Sequence, residues 1–279
     1  MVQNIGCHLS SSGGFSAMAL TAKSIGANTF QYFSRNPRGG KAKTLDATDL
    51  ENFLEISKIN NFKHIVAHAP YTMNLCSATE HIRNFSKVML EEDLESLDKI
   101  PNSYYNFHPG SHTGQGIPKA IEEISDALNS VIKPQQDTIV LLETMTGKGS
   151  EVGGKFEDIA KIIENVELKD KIGVCFDTCH VYDAGYDIVN NLDAVLEEFD
   201  KKIGISKLKV VHLNDSKNFL GSKKDRHEQL GRGNIGIEAI LKVVHHKYLK
   251  DLVFILETPQ ESLDGYKMEI EMLRSSHTL

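Results

Sequence analysis

The sequence predicts an α/β protein, a (β/α)₈ TIM barrel that forms one domain over residues 1–279. Eight short apolar runs alternate with eight stretches whose apolar residues recur at helical spacing, and this is the count of elements in such a barrel. The units recur every few tens of residues without a linker, a low-complexity tract or a shift in composition. The chain therefore shows no domain boundary.

The apolar runs are predicted strands because they are short, rich in β-branched and aromatic residues, and nearly continuous rather than alternating. Strands that are buried on both faces of a parallel sheet have this pattern. In chain order the predicted strands cover residues 5–8, 29–33, 64–67, 104–107, 138–142, 172–176, 208–211 and 253–256.

The intervals between these strands contain the predicted helices, and glycine-rich turns separate several of the elements. A doubly wound open sheet is the structural alternative, but no G-x-G-x-x-G motif follows the first strand. The helical patterns cover residues 15–25, 50–59, 88–97, 120–131, 156–163, 192–199, 237–244 and 268–273.

Six of the predicted strands end at a residue that can bind a metal ion. Since all strands of a barrel point the same way, these side chains are expected to converge at its carboxyl end, where such folds carry their active sites. Converging carboxylates without a cation would repel one another and lose hydration. The six residues are His68, His108, Glu143, Asp177, His212 and Glu257.

Two further clusters extend this set. His180 follows Asp177 by three residues, and Asp225 and His227 are two apart, as on one side of an extended loop. The nine candidate ligands are too many for one ion, so we expect two or three ions. Mixed imidazole and carboxylate ligands favour zinc or manganese in a catalytic site.

Other polar and sulfur-containing residues carry weaker signals. Cys7, Cys76, Cys175 and Cys179 form no C-x-x-C pair and are expected to be small reduced core residues. His8 and His112 lie at strand ends, where contact with a ligand residue or a substrate is plausible.

The net charge of −7 argues, taken alone, against a nucleic-acid partner, because such proteins usually carry a basic surface. The short polar segment at Met1 does not resemble a signal peptide, and no apolar run approaches the ~20 residues that span a membrane. We therefore expect a cytoplasmic protein with no membrane partner.

Several ordered motifs resemble those of the endonuclease IV family of apurinic/apyrimidinic endonucleases. The similarity extends from about residue 5 to residue 258, nearly the whole chain. The motifs are GCHLS at 6–10, NFHPGSH at 106–112, DTCH at 177–180, VHLNDS at 211–216, DRH at 225–227 and LGRGNIG at 230–236.

The resemblance implies a site of three zinc ions. His68 and His108 would hold one ion, and Glu143 would bridge it to a second. The second would also be held by Asp177, His212 and Glu257. The third would be held by His180, Asp225 and His227. Glu143 and Glu257 would be the catalytic carboxylates, with Glu257 orienting the attacking hydroxide.

The resemblance also implies a substrate, double-stranded DNA that contains an abasic site, and no obligatory protein partner. Hydrolysis 5′ of the site would leave a 3′-hydroxyl and a 5′-deoxyribose phosphate. Arg38 resembles the side chain that such enzymes insert into the base stack, and Tyr71 resembles their minor-groove wedge. Three Zn²⁺ ions would bring about +6, which moves the net charge from −7 toward about −1.

Two other classes of function remain open from the residues alone. A sugar isomerase or epimerase on the same barrel would use Glu143, Asp177, His212 and Glu257 with one or two divalent ions. His180 and the pair Asp225 and His227 fit that alternative less well. A binding protein without catalytic activity is the other class, and a complete ligand set argues against it.

Overall fold

The computed structural model describes residues 4–40, 45–62 and 64–276. Eight of its strands form one sheet. They are β1 (Asn4–Cys7), β2 (Gln31–Phe33), β3 (Ile65–His68), β4 (Ser103–Phe107), β5 (Ile139–Glu143), β6 (Ile172–Asp177), β7 (Leu208–His212) and β10 (Val253–Leu256).

All neighbouring strands of this sheet are parallel, in the order β1-β10-β7-β6-β5-β4-β3-β2. A parallel bridge between His8 and Gln31 joins the two outer members, and the N–H of Leu9 donates to the Gln31 carbonyl at 2.8 Å. Gly6 permits this closure, because an added Cβ would overlap the Thr29 carbonyl oxygen. The sheet is therefore a closed barrel.

Helices follow the strands and pack around the barrel. The amphipathic ones bury their apolar face against the strands, as Ile124 and Leu128 do in α4. The helices are α1 (Gly14–Ser24), α2 (Ala47–Asn60), α3 (Glu80–Leu97), α4 (Ile117–Val131), α5 (Phe156–Asn165), α6 (Thr178–Ala184), α7 (Leu192–Lys202), α8 (Ile237–His245) and α9 (Leu263–Ser275). Among the described residues, no helix is long and apolar enough to cross a membrane.

The core has two parts, because successive strand residues point to opposite faces of the sheet. The larger part lies between the strands and the helices. The smaller part fills the barrel interior and consists of Val66, Tyr104, Leu141, Cys175, Val210, Val253 and Ile255.

The alternation of the strands also positions the polar residues. His68 lies two positions after Val66, and Glu143 lies two positions after Leu141. Asp177, His212 and Glu257 have the same spacing from the interior residues of their own strands. Each of these side chains therefore continues an inward-facing column and points into the mouth of the barrel.

The predicted fold is confirmed, including all eight barrel strands and the eight predicted helices. Two features were not predicted. The segment after β6 forms the short helix α6, and β8 (Asp215–Ser216) pairs with β9 (His227–Glu228) as an antiparallel hairpin. All four cysteines are buried and free, in agreement with the expectation of reduced core residues.

Candidate metal centre

Glu143 is the centre of the polar cluster at the carboxyl end of the barrel. Its side chain is 1% exposed and faces four imidazoles. Oε2 lies 3.2 Å from His68 Nε2 and 3.3 Å from His108 Nε2. Oε1 lies 3.2 Å from His212 Nδ1 and 3.4 Å from His180 Nδ1. One carboxylate can thus be shared between neighbouring ions.

His68, His108 and Glu143 form a first group whose donor atoms lie close enough together to hold a metal ion. A second group consists of Glu143, Asp177, His212 and Glu257. In the second group, His212 Nδ1 lies 3.1 Å from Glu257 Oε2 and 3.8 Å from Asp177 Oδ2.

A third group consists of His180, Asp225 and His227. Asp225 Oδ1 lies 3.2 Å from His180 Nε2 and 3.5 Å from His227 Nε2. The backbone of Asp225 is left-handed, with φ of 60°, so the expected extended loop is not the reason for this proximity. The hairpin places His227 beside Ser216, and the preceding turn directs Asp225 toward α6.

A fourth group shares residues with the others and includes Cys179, together with Asp177 and His227. Cys179 is fully buried, and burial raises the pKa of its thiol, as do the charges of Asp177 and Asp183. Since a thiol binds metal as the thiolate, these surroundings disfavour Cys179 as a ligand.

The histidines are held so that one ring nitrogen faces the cluster. His68 Nδ1 lies 2.7 Å from the Ala69 carbonyl oxygen, and His180 Nδ1 lies 2.8 Å from that of Thr144. His212 Nε2 lies 2.7 Å from Gln31 Oε1. Each oxygen can accept an N–H from its ring, so the other ring nitrogen is the one directed at a metal ion, as is usual for metal-binding histidines.

Three amide side chains in the same layer orient the carboxylates. Asn106 Nδ2 donates to Glu143 at 2.6 Å, Gln31 Nε2 donates to Glu257 at 2.6 Å, and Asn214 Nδ2 donates to Asp177 at 2.8 Å. None of these three residues was assigned a role from the sequence alone. A polar residue inside a predicted buried strand, such as Gln31, is the signal that could have identified them.

The electrostatics of the cluster favour additional positive charge. Burial lowers the pKa of His180, but Asp177, Asp225 and Glu143 outweigh burial and hold this pKa well above its usual value. Burial raises the pKa of Glu143, but His212 and His108 hold it well below its usual range. The cluster thus keeps ionised carboxylates in a buried place and attracts cations.

Two buried ring nitrogens that lack a hydrogen-bond partner also indicate a metal ion. His180 Nε2 and His227 Nε2 are buried and make no hydrogen bond among the described residues, although both face Asp225. Buried polar atoms without a partner are rare in folded proteins. Two imidazole nitrogens and a carboxylate oxygen are a donor set that zinc accepts, so the residues fit such an ion.

Of the two histidines that were expected at strand ends, only His8 lies at one, since β4 ends five residues before His112. His8 lies beside the cluster, with Nδ1 at 3.7 Å from Glu257 Oε1 and 3.1 Å from Gln31 Nε2. His112 instead stabilises a turn, because its Nδ1 accepts the N–H groups of Gly114 and Gly116.

The two predicted DNA-contacting residues lie on adjacent loops at the rim. Tyr71 is 65% exposed, and its ring centroid lies 6.1 Å from that of His108. Arg38 is exposed on the loop after β2. The N–H of Tyr71 donates to the Pro37 carbonyl at 3.1 Å, so the two loops are joined beside the cluster.

The loop that follows β2 and carries Arg38, residues 34–40, is called the Arg38 loop. It is anchored by Arg35, a buried arginine that was not predicted to have a role. Arg35 Nε donates to Asp93 at 2.8 Å, and its terminal nitrogens donate to the Gly40 carbonyl and to Glu92. A charged residue two positions after a predicted strand gave no indication of burial.

Comparison with known proteins relates this site to a family. A model described as xylose isomerase-like TIM barrel matches residues 20–276. A "Probable endonuclease 4" of Clostridium beijerinckii is 58% identical over 271 residues, which cover 97% of this chain and 98% of that protein. The crystal structure of endonuclease IV from Thermus thermophilus superimposes with a TM-score of 0.87 at 32% identity, covering 98% of both chains.

The barrel itself is shared more widely. A D-tagatose 3-epimerase-like protein superimposes with a TM-score of 0.71 and covers 97% of this chain and 96% of its own, but it is only 19% identical, which shows the fold alone. The full-length similarity to the endonucleases, at much higher identity, establishes that this chain belongs to the endonuclease IV family of xylose isomerase-like TIM barrels.

Proposed function

We propose that the protein is a zinc-dependent DNA repair endonuclease that hydrolyses the phosphodiester bond 5′ of an abasic site. The products would be a 3′-hydroxyl and a 5′-deoxyribose phosphate. The observation that carries this proposal is the convergence of three donor groups, two of which share Glu143, at the mouth of a barrel of the endonuclease IV family.

The three groups would hold three zinc ions. His68, His108 and Glu143 would hold the first, and Glu143 would bridge to the second. The list of all nine ligands is His68, His108, Glu143, Asp177, His180, His212, Asp225, His227 and Glu257. Bound zinc would supply hydroxide at neutral pH and screen the negative charge of the phosphate.

The catalytic carboxylates would be Glu143 and Glu257. Glu257 is partly exposed at the mouth, and the amide of Gln31 orients its Oε1 while Oε2 faces His212. Glu257 is thus placed to orient the attacking oxygen as well as to bind metal. Glu143 is buried below it, and Asn106 keeps its carboxylate directed at the imidazoles.

Recognition of the abasic site would depend on the rim. An abasic nucleotide has lost its base pairing and stacking, so its extrusion from the duplex costs less than that of an intact nucleotide. Tyr71 and Arg38 would fill the space left in the helix, as wedge residues do in other proteins that bend DNA. The two side chains are exposed on loops that are joined to each other.

The third donor group separates this function from sugar isomerisation. Glu143, Asp177, His212 and Glu257 alone would suit an isomerase with one or two divalent ions. His180, Asp225 and His227 fit that chemistry less well, yet they form a further group in the same mouth.

A nicking assay tests the proposal. The zinc-loaded protein is incubated with an end-labelled duplex that contains one tetrahydrofuran abasic analogue, with and without a chelator. We expect one nick 5′ of the analogue, with a 3′ end that a DNA polymerase can extend, and no nick in the chelated sample. The matched control is the same duplex with an intact nucleotide at that position.

Elemental analysis of the same preparation should give about three zinc ions per chain. Because the chain carries a net charge of −7, we also expect chelation to abolish DNA binding in a gel-shift assay. Absence of nicking together with isomerisation of free sugars would refute the proposed function, and tight specific DNA binding by chelated protein would refute the electrostatic argument.

A further inference from the structure

Asp183 is a fully buried carboxylate on α6, three residues after the candidate ligand His180. It accepts three hydrogen bonds, all from the segment that follows β7. The Ser216 hydroxyl donates to Oδ1 at 2.7 Å, Asn218 Nδ2 donates to Oδ2 at 2.9 Å, and the N–H of Asp225 donates to Oδ2 at 3.1 Å. These bonds attach the 216–225 segment to α6.

The backbone of Asp183 holds the same segment. Its carbonyl oxygen accepts the N–H of Lys223 at 2.9 Å, and the neighbouring carbonyl of Tyr182 accepts the N–H of Gly221 at 3.1 Å. Lys223 and Asp225 have φ values of 54° and 60°, a region that residues with a side chain rarely adopt. The hydrogen bonds to Asp183 therefore select an unusual local conformation of the segment.

This conformation decides where the third donor group forms. Asp225 reaches His180 Nε2 at 3.2 Å only because the segment turns back toward α6, the helix that carries both His180 and Asp183. We infer that Asp183 is a positioning residue for the third metal ion, acting through Asp225, and this inference rests on the proposed three-ion site. Asp183 would touch neither the ion nor the DNA.

The rest of the connection has its own anchor. Asp215 accepts the N–H groups of Gly231 and Ile235, both at 2.9 Å, and so holds the segment after β9. The pairing of Ser216 with His227 joins the two segments. Loss of Asp183 should therefore release the 216–225 segment without unfolding the barrel or the neighbouring segment.

The experiment compares zinc binding by the wild-type chain, Asp183→Ala and Asp183→Asn. Zinc per chain is measured by elemental analysis after desalting, and the affinity of the weakest-held ion is measured by competition with a chelating dye. Loss of a residue that orients a ligand typically weakens metal binding by ~10–100-fold. We expect this loss for one ion in Asp183→Ala, which would retain about two after desalting, and a smaller loss in Asp183→Asn, whose amide oxygen can still accept hydrogen bonds.

Asp187→Asn is the matched control. Asp187 lies four residues further along and accepts bonds from Asn190 and Asn191, outside the 216–225 segment. This variant should bind zinc as the wild type does. Circular dichroism of the loaded proteins shows whether each variant is folded, and if Asp183→Ala does not fold, the weakest-ion affinity of Asp183→Asn decides the question.

The possible outcomes are distinct. Unchanged affinity for all ions in a folded Asp183→Ala, or in Asp183→Asn where that variant decides, would overturn the inference. So would equal weakening of all ions, since that would indicate a general structural role. A wild-type chain that nicks abasic DNA and binds three ions keeps the proposed function intact in either case, whereas a wild type that binds fewer ions would overturn the three-ion site on which both depend.

Discussion

Replacement of Arg35 by methionine should destabilise the fold and weaken DNA binding. Arg35 is buried and makes hydrogen bonds to Asp93, Glu92 and the carbonyl oxygens of Gly40 and Met89. Methionine fills part of the same volume but supplies no donor. The substitution therefore leaves Asp93, a buried carboxylate, without its cation.

The size of the destabilisation depends on the hydrogen-bond partners that Asp93 keeps. Burial opposes the charged form of both side chains and raises the pKa of Asp93, whereas Asp93 and Glu92 outweigh burial for Arg35 and raise its pKa. Removing one partner of a buried pair costs ~3–5 kcal/mol. The hydroxyls of Ser34 and Tyr105 still donate to Asp93, at 2.7 and 2.9 Å, so we expect the lower end, about 3 kcal/mol.

Thermal unfolding measures this loss. Since about 1 kcal/mol shifts the melting temperature of a large domain by ~2–4 °C, the variant should melt about 6–12 °C below the wild type.

Release of Gly40 should also loosen the Arg38 loop, so KM for abasic DNA should rise while the zinc content stays unchanged. Asp93→Asn combined with Arg35→Met should cost less than the sum of the single changes, because no buried charge is left unpaired. A melting temperature within about 2 °C of the wild type would refute the argument, since a charge left buried and unpaired should lower the free energy of unfolding by more than that shift implies.

Three other substitutions test separate parts of the structure. Glu143→Gln should lower zinc content, because this residue belongs to two donor groups. It should also reduce nicking by more than the ~100-fold that can follow the loss of a residue that only orients a metal ligand. Tyr71→Ala should change stability by less than about 1 kcal/mol, since the side chain is exposed, but should weaken gel-shift affinity for abasic DNA; unchanged affinity would exclude the wedge. Gly233→Ala would place a Cβ against Asp215 and the Ser216 carbonyl, so it should cost ~1–3 kcal/mol in thermal unfolding, and a neutral result would show that the segment can shift freely.

The candidate site could be predicted from the sequence where it depends on the strands. His68, Glu143, Asp177 and His212 each end a strand, and parallel strands bring their carboxyl ends to one rim whatever the side chains are. Proximity of these residues therefore follows from the order of elements alone. The same argument does not apply to Asp225, which lies in a connection of irregular conformation.

The residues that support the site and its loops could not be predicted from the sequence, for a related reason. Arg35, Asp183 and Asp215 have the residue types of ordinary surface charges, and only the folded chain shows that each is buried among specific donors or acceptors. Hydrogen bonds between segments 16 to 58 positions apart in the chain have no local pattern. Burial of a charge depends on which segments pack over it, and the spacing of apolar residues along the sequence does not indicate this.

The sequence by itself determined the barrel, its direction and the convergence of ligand-type side chains, because alternation and element order are local properties that parallel pairing converts into position. Only the tertiary structure decided which nitrogen of each histidine faces the cluster, how the 216–225 segment turns toward α6, and how Arg35 secures the Arg38 loop. These features depend on hydrogen-bond geometry between distant segments, and such geometry exists only once the chain has folded.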